Sequence, residues 1–204
     1  MIIYDVSRAI VRAYARLWHR IEIIGEEHIP ACGIFIASSH GSYLDPPLIG
    51  SYAGSHRVSF IAKRELRDWP LIGHWMVACR TLFIRRGGVN RELEEQAIQL
   101  AKDGGCVCVF PEGTRTRTGA LGAGKAGVGK LFLRTGIPVV PAHIDGNFRA
   151  YPPGGWFPRP AKITIRYGRP LTFPVTEQPA KEQCQAAVDE VMAAIRALRP
   201  GTGI

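Results

Sequence analysis

The sequence predicts a single α/β domain with a central mixed, largely parallel sheet flanked by helices and preceded by an N-terminal amphipathic helix. Three observations carry that prediction. Short apolar runs alternate along the chain with stretches of helical period. Runs such as CVCVF at 106–110 are apolar at every residue, as expected of strands covered on both faces. A length of 204 residues suits one domain with a substantial core.

The elements follow in order. Residues 1–22 are expected to hold the amphipathic helix and residues 23–204 the α/β domain. Across 2–20, Ile3, Ile10 and Leu17 recur every seven residues, with Val6, Ala13 and Tyr14 on the same broad side. Arg8, Arg12, Arg16 and Arg20 recur every four. This reads either as a helix packed to the core with a solvated basic face, or as an interfacial helix with Arg near lipid phosphates. Strands are expected at 33–38, 58–62, 81–85, 105–110, 137–144 and 162–167, and helices at 46–53, 70–78, 89–103, 125–135 and 179–199. The Pro- and Gly-rich stretch YPPGGWFPRP, 151–160, reads as a long surface loop.

Composition narrows the partners. With 46% hydrophobic and 21% charged residues the chain is globular rather than disordered. A formal charge of +9 implies an anionic partner. Much of the excess lies in 57–91, where Arg57, Lys63, Arg64, Arg67, Arg80, Arg85, Arg86 and Arg91 face only Glu65 and Asp68. Aromatic residues are too scattered for the stacking platforms of a nucleic-acid reader, so no nucleic acid is expected. A non-catalytic basic module would explain the charge but gives no reason for the motifs below. The five cysteines show no framework or zinc-finger spacing, so free thiols and no metal are expected. No run of roughly 18 apolar residues occurs, and the N-terminus lacks a signal-peptide core. A cytoplasmic chain is the resulting expectation.

Two segments can carry chemistry. SSHGSYLDPP places His40 and Asp45 just after a strand, at the sheet end where α/β proteins put their sites. On one continuous helix the two would diverge by about 140°. They meet if the chain turns at Gly41-Ser42 and a helix begins at Asp45-Pro46. Asp45 then reads as an N-cap, as the partner of the imidazole Nδ1–H, or as both, one oxygen for each. The second segment, FPEGTRTRTG, follows the strand GCVCVF. Pro111 and Gly113 shape a turn, Arg115 offers a planar fork for phosphate, and Glu112 either braces an arginine or meets the substrate. Ser38, Ser39 and Ser42 lack the G-x-S-x-G elbow of a serine nucleophile. GALGAGK, 119–125, matches a P-loop until Ala126 stands where Ser or Thr should hold magnesium.

Taken together, these residues resemble the glycerolipid acyltransferase family of the lysophosphatidic-acid acyltransferase type. HGSYLD (40–45) is similar to its H-x-x-x-x-D block, LFIRR (82–86) to F-I-x-R, FPEGTR (110–115) to the third block and IPVVP (137–141) to the fourth. AKREL (62–66) and PLIG (70–73) resemble the stretch between the first two. Departures stand at Ser39, Arg80 and Gly124. The resemblance implies His40 and Asp45 as the catalytic pair, and Lys63, Arg86, Glu112, Gly113, Thr114 and Arg115 as the substrate-binding set. It further implies no metal and no bound cofactor, with acyl-CoA or acyl-acyl carrier protein as co-substrate. The implied acceptor is a lysophospholipid, 1-acylglycerol 3-phosphate by default, with another lysophospholipid, glycerol 3-phosphate or an aminolipid as alternatives. An anionic membrane surface, met peripherally at the inner face of the cell membrane, completes the expectation.

Overall fold

The computed structural model describes residues 2–68, 72–78, 81–84 and 91–201. Among these, seven strands form one sheet: β1 (Glu22–Ile24), β2 (Ile34–Ser38), β3 (Val58–Lys63), β4 (Leu82–Ile84), β5 (Cys106–Val109), β6 (Val139–Asp145) and β7 (Thr164–Tyr167). Their spatial order is β1-β7-β6-β2-β5-β3-β4. Every pairing is parallel except β6 with β7, so β7 and β1 run against the rest and the sheet is mixed. The helices are α1 (Ile2–His19), α2 (Asp45–Tyr52), α3 (Ile72–Ala78), α4 (Arg91–Lys102), α5 (Ala126–Leu133), α6 (Asn147–Ala150) and α7 (Lys181–Ala197).

Period-two alternation splits the central strands between two cores. Ile34 and Ile36 of β2, Cys106 and Cys108 of β5, and Val140 and Ala142 of β6 join the face under α1 and α2. Phe35 and Ala37, Val107 and Val109, and Val139 point the other way, under α4, α5 and α7. Both faces are buried, which is why these strands read as unbroken apolar runs. Cys106 and Cys108 share a face; both are buried and free, whereas Cys32 is exposed. The central parallel set β6-β2-β5-β3 brings the residues after each strand to one edge of the sheet.

Helix α1 packs by a face that neither sequence reading specified. Tyr4, Ala15 and His19 are its buried residues. The Tyr4 hydroxyl donates to the Gly50 carbonyl at 2.8 Å and accepts the Val58 N–H at 2.9 Å. Arg8 and Arg12 turn inward: Arg8 donates to the Ser51 and Gly54 carbonyls, and Arg12 to Ser51 at 2.7 Å. They close the C-terminal end of α2, where carbonyls lack helical partners and the dipole favours a cation. The apolar stripe faces out, with Ile3, Val6, Ile10 and Leu17 exposed, Leu17 by 85%. The basic stripe is therefore divided: Arg8 and Arg12 are engaged by α2, while Arg16 and Arg20 stay exposed. Both α6 and the short edge strand β1 were absent from the expected elements.

Candidate active site

Three loops leave the carboxyl ends of β2, β5 and β6 and meet. The first carries His40, the second Phe110–Arg115, the third Asn147. Asp45 is fully buried at the first residue of α2. Its Oδ2 accepts from the His40 Nδ1–H at 2.9 Å and from the backbone N–H groups of Gly41 and Ser42, each at 2.8 Å. Its Oδ1 accepts from the Asn147 side-chain amide at 2.6 Å.

Asp45 is thus not the cap that the sequence suggested. The position before α2 is Leu44, and no side chain caps the helix there. The carboxylate instead turns back on its own loop, where the Gly41 and Ser42 N–H groups both donate to it. Pro46 and Pro47 follow, so the first turn of α2 has fewer N–H donors to satisfy.

The tautomer of His40 follows from this geometry. A carboxylate only accepts, so Nδ1 must carry the proton, and the lone pair of the neutral ring sits on Nε2. The imidazole stacks on Phe110 with ring centroids 3.9 Å apart and keeps 16% of its side chain exposed. Its backbone is held from the second loop. The His40 N–H donates to Glu112 Oε1 at 2.9 Å, and the Thr116 N–H donates to the His40 carbonyl at 2.9 Å. Glu112 Oε2 accepts from the Gly122 N–H at 2.8 Å. With both oxygens engaged by backbone and only 6% of the residue exposed, Glu112 faces inward and braces the loops.

Arg115 lies at the surface of this cluster, its guanidinium 3.6 Å from the centroid of the Tyr43 ring. Tyr43 in turn lies 5.3 Å from the Tyr151 ring. Gly113 and Thr114 are exposed beside Arg115. Gly113 has φ +67°, and a Cβ there would meet the Lys125 side chain at 2.9 Å, so the turn needs glycine and Lys125 lies along it. Lys63 closes β3 at the same sheet end. Arg86 lies outside the described residues.

Asn147 was not found from the sequence. A signal existed: Gly146-Asn147 directly follows the apolar run of β6, at the edge that also holds His40 and Glu112. Beneath the site, burial pushes the Cys108 thiol well above its ordinary range, with smaller contributions from Cys106 and Asp45, so it stays protonated. Among the described residues no group of three or more His, Cys, Asp or Glu could hold a metal ion. The arrangement can take a proton at Nε2 and hold the resulting imidazolium against a buried carboxylate.

The chain matches the sequence model of the acyltransferase family over residues 20–145. It is 30% identical over 185 residues to the 1-acyl-sn-glycerol-3-phosphate acyltransferase of Pseudomonas aeruginosa, covering 86% of this chain and 70% of that protein. It is 32% identical over 137 residues to the lyso-ornithine lipid O-acyltransferase of the same organism, covering 67% and 51%. A Mycoplasma pneumoniae protein named as a probable 1-acyl-sn-glycerol-3-phosphate acyltransferase is 32% identical over 136 residues, and the chain spans 50% of its length. Among solved structures, the 1-acyl-sn-glycerophosphate (LPA) acyltransferase PlsC of Thermotoga maritima superposes with a TM-score of 0.76 at 26% identity, covering 96% of this chain and 80% of that one. The matched region contains the His40, Glu112 and Ile137 blocks, and the likeness to the solved protein extends over nearly the whole chain: it belongs to the acyltransferase family.

Proposed function

We propose that the protein transfers a fatty acyl group from a thioester to the hydroxyl of a lysophospholipid. The observation that carries this reading is the His40–Asp45 pair, whose carboxylate accepts four hydrogen bonds and whose ring offers Nε2 to a substrate. The acceptor hydroxyl oxygen attacks the thioester carbonyl carbon while its proton passes to Nε2. Asp45 stabilises the imidazolium. The tetrahedral intermediate collapses, the C–S bond breaks, and the thiolate takes the proton from Nε2 and leaves as a thiol. The acyl group never rests on the protein. The donor in this reading is acyl-CoA or acyl-acyl carrier protein, with no bound cofactor.

The default acceptor is 1-acylglycerol 3-phosphate, its phosphate met by Arg115 after the guanidinium leaves the Tyr43 ring. Arg86, Lys63, Gly113 and Thr114 complete the proposed binding set, and Glu112 keeps the His40 loop in place. The similarity to a lyso-ornithine lipid O-acyltransferase favours an aminolipid acceptor as the second reading. No helix among the described residues is long and apolar enough to cross a membrane. The exposed stripe Ile3, Val6, Ile10 and Leu17 suits peripheral attachment, which we assign to the inner face of the cell membrane.

The test sets purified protein with each donor against 1-acylglycerol 3-phosphate, lyso-ornithine lipid and glycerol 3-phosphate. Highest kcat/KM with 1-acylglycerol 3-phosphate is expected. Arg115→Ala should raise KM for that acceptor by about tenfold or more, the scale of a lost charge-assisted contact. An equal loss with a phosphate-free acceptor would contradict the phosphate role.

A further inference from the structure

The geometry points to the 152–158 loop as a second membrane anchor, a wedge of Trp156 and Phe157 that seats the active-site mouth on an anionic bilayer. This rests on the lipid acyltransferase reading above. Trp156 is 98% exposed and Phe157 68% exposed, at the tip of a long connection between α6 and β7. Two adjacent large aromatic side chains held in water forgo the free energy of burial, and such exposure marks a contact surface. Tryptophan with an apolar body and one N–H donor suits the headgroup zone.

The tip is built rather than slack. Gly155 N–H donates to the Pro152 carbonyl at 2.9 Å, with Gly154 at φ +85° completing the turn. Pro152, Pro153, Pro158 and Pro160 restrict the backbone on both sides. At the base, Arg159 N–H donates to the Ala150 carbonyl at 2.7 Å. A stiff tip loses little conformational entropy when it inserts.

Two attachments give the wedge its direction. The Ser42 hydroxyl donates to the Tyr151 carbonyl at 2.7 Å, which ties the loop to the turn that holds Asp45. On the other side, the Ile163 N–H donates to the His19 carbonyl at 3.0 Å, and His19 Nδ1 stands 3.2 Å from the Ala161 carbonyl. The loop is therefore tied both to the catalytic turn and to the end of α1, beside the exposed Leu17 and Trp18. Arg149 and Arg159, both exposed, flank the tip and match an anionic headgroup layer. Two anchors fix an orientation as well as an attachment, and each makes the other's binding intramolecular.

The experiment compares the full chain with the Trp156→Ser/Phe157→Ser variant on vesicles of phosphatidylcholine and phosphatidylglycerol. Vesicle partition should fall by about tenfold or more, the scale set by burial of one large apolar side chain. Transfer to a vesicle-embedded lysophospholipid should fall in parallel, and transfer to a short-chain monomeric acceptor should not change. Unchanged partition overturns the proposal. So does an equal loss on both acceptors, which would make the loop part of the substrate site. A variant-dependent change in self-association without lipid, at constant partition, would assign the patch to a second copy and overturn it too. The single variant Trp156→Ala serves if the double variant melts early. Absence of acyl transfer by the unmodified protein would refute the enzymatic reading, while the partition result would still decide the anchor.

Discussion

Replacing Asp45 by Asn keeps the shape of the buried side chain and removes its charge. The hydrogen-bond pattern dictates how the amide must sit. An NH2 in the place of Oδ2 would face three donors, from His40, Gly41 and Ser42; in the place of Oδ1 it faces one, the Asn147 amide. The second orientation is the better one. Asn147 cannot simply flip to accept, because its carbonyl already takes the Phe148 N–H at 2.8 Å. Stability should therefore drop by about 1–3 kcal/mol, the cost of a buried polar group left unmade. The rate falls further, because the imidazolium loses a charge 2.9 Å away. Both charges are spread over several atoms, so their centres lie farther apart than this contact; at about 4 Å and an effective dielectric near 20 the carboxylate contributes about 4 kcal/mol, or about 1000-fold in kcat. The assay is release of free thiol from acyl-CoA at saturating acceptor, with a thermal melt as the check on folding. A variant that melts as expected yet keeps kcat within about tenfold of the parent would refute the charge-stabilising role. Asp45 would then be only a brace for its loop.

Further outcomes follow from neighbouring groups. Asn147→Ala removes the only donor to Asp45 Oδ1 among the described residues, so kcat should fall by about tenfold or more with both KM values unchanged. A rise in KM at constant kcat would place Asn147 against substrate instead. His143, on β6, has its pKa lowered from 6.5 to about 4, chiefly by burial, and its Nδ1 has no hydrogen-bond partner among the described residues. The folded protein then keeps this ring neutral down to about pH 4, while the unfolded chain binds its proton from about pH 6.5 downward. Stability should fall as pH drops through that window, by about 3 kcal/mol in total from this residue, and level off below it. Urea melts of the parent and of His143→Phe should diverge accordingly; parallel curves would contradict the assignment.

The central sheet was legible because its strands are buried on both faces. CVCV and IFIAS, as runs, could hardly be anything else at that length, and their positions held to within a residue or two. Strand β1 was not legible: Glu22–Ile24 is an edge strand of three residues with both ends exposed, so it has no apolar period. The direction of β7 was equally hidden, since Thr164–Tyr167 reads the same either way. On α1 the sequence displayed both stripes but not which one faces in. That depended on the carbonyls of Ser51 and Gly54, some forty residues away, which need donors. Within the site, His40, Asp45 and the PEGTR turn were legible as local spacing. The Asn147–Asp45 contact joins residues 102 apart and exists only because β6 pairs with β2. No local pattern could reveal that contact, and the place of Asn147 directly after a strand was a signal left unused.

The most direct measurement of the central claim is the turnover of His40→Ala with acyl-CoA and 1-acylglycerol 3-phosphate. The ring makes one hydrogen bond to Asp45 and stacks on Phe110, so its removal should leave the fold intact. Loss of the base predicts a fall in kcat of about 100- to 10,000-fold, the usual contribution of a positioned proton acceptor. Undiminished acyl transfer by a folded His40→Ala protein would contradict the account.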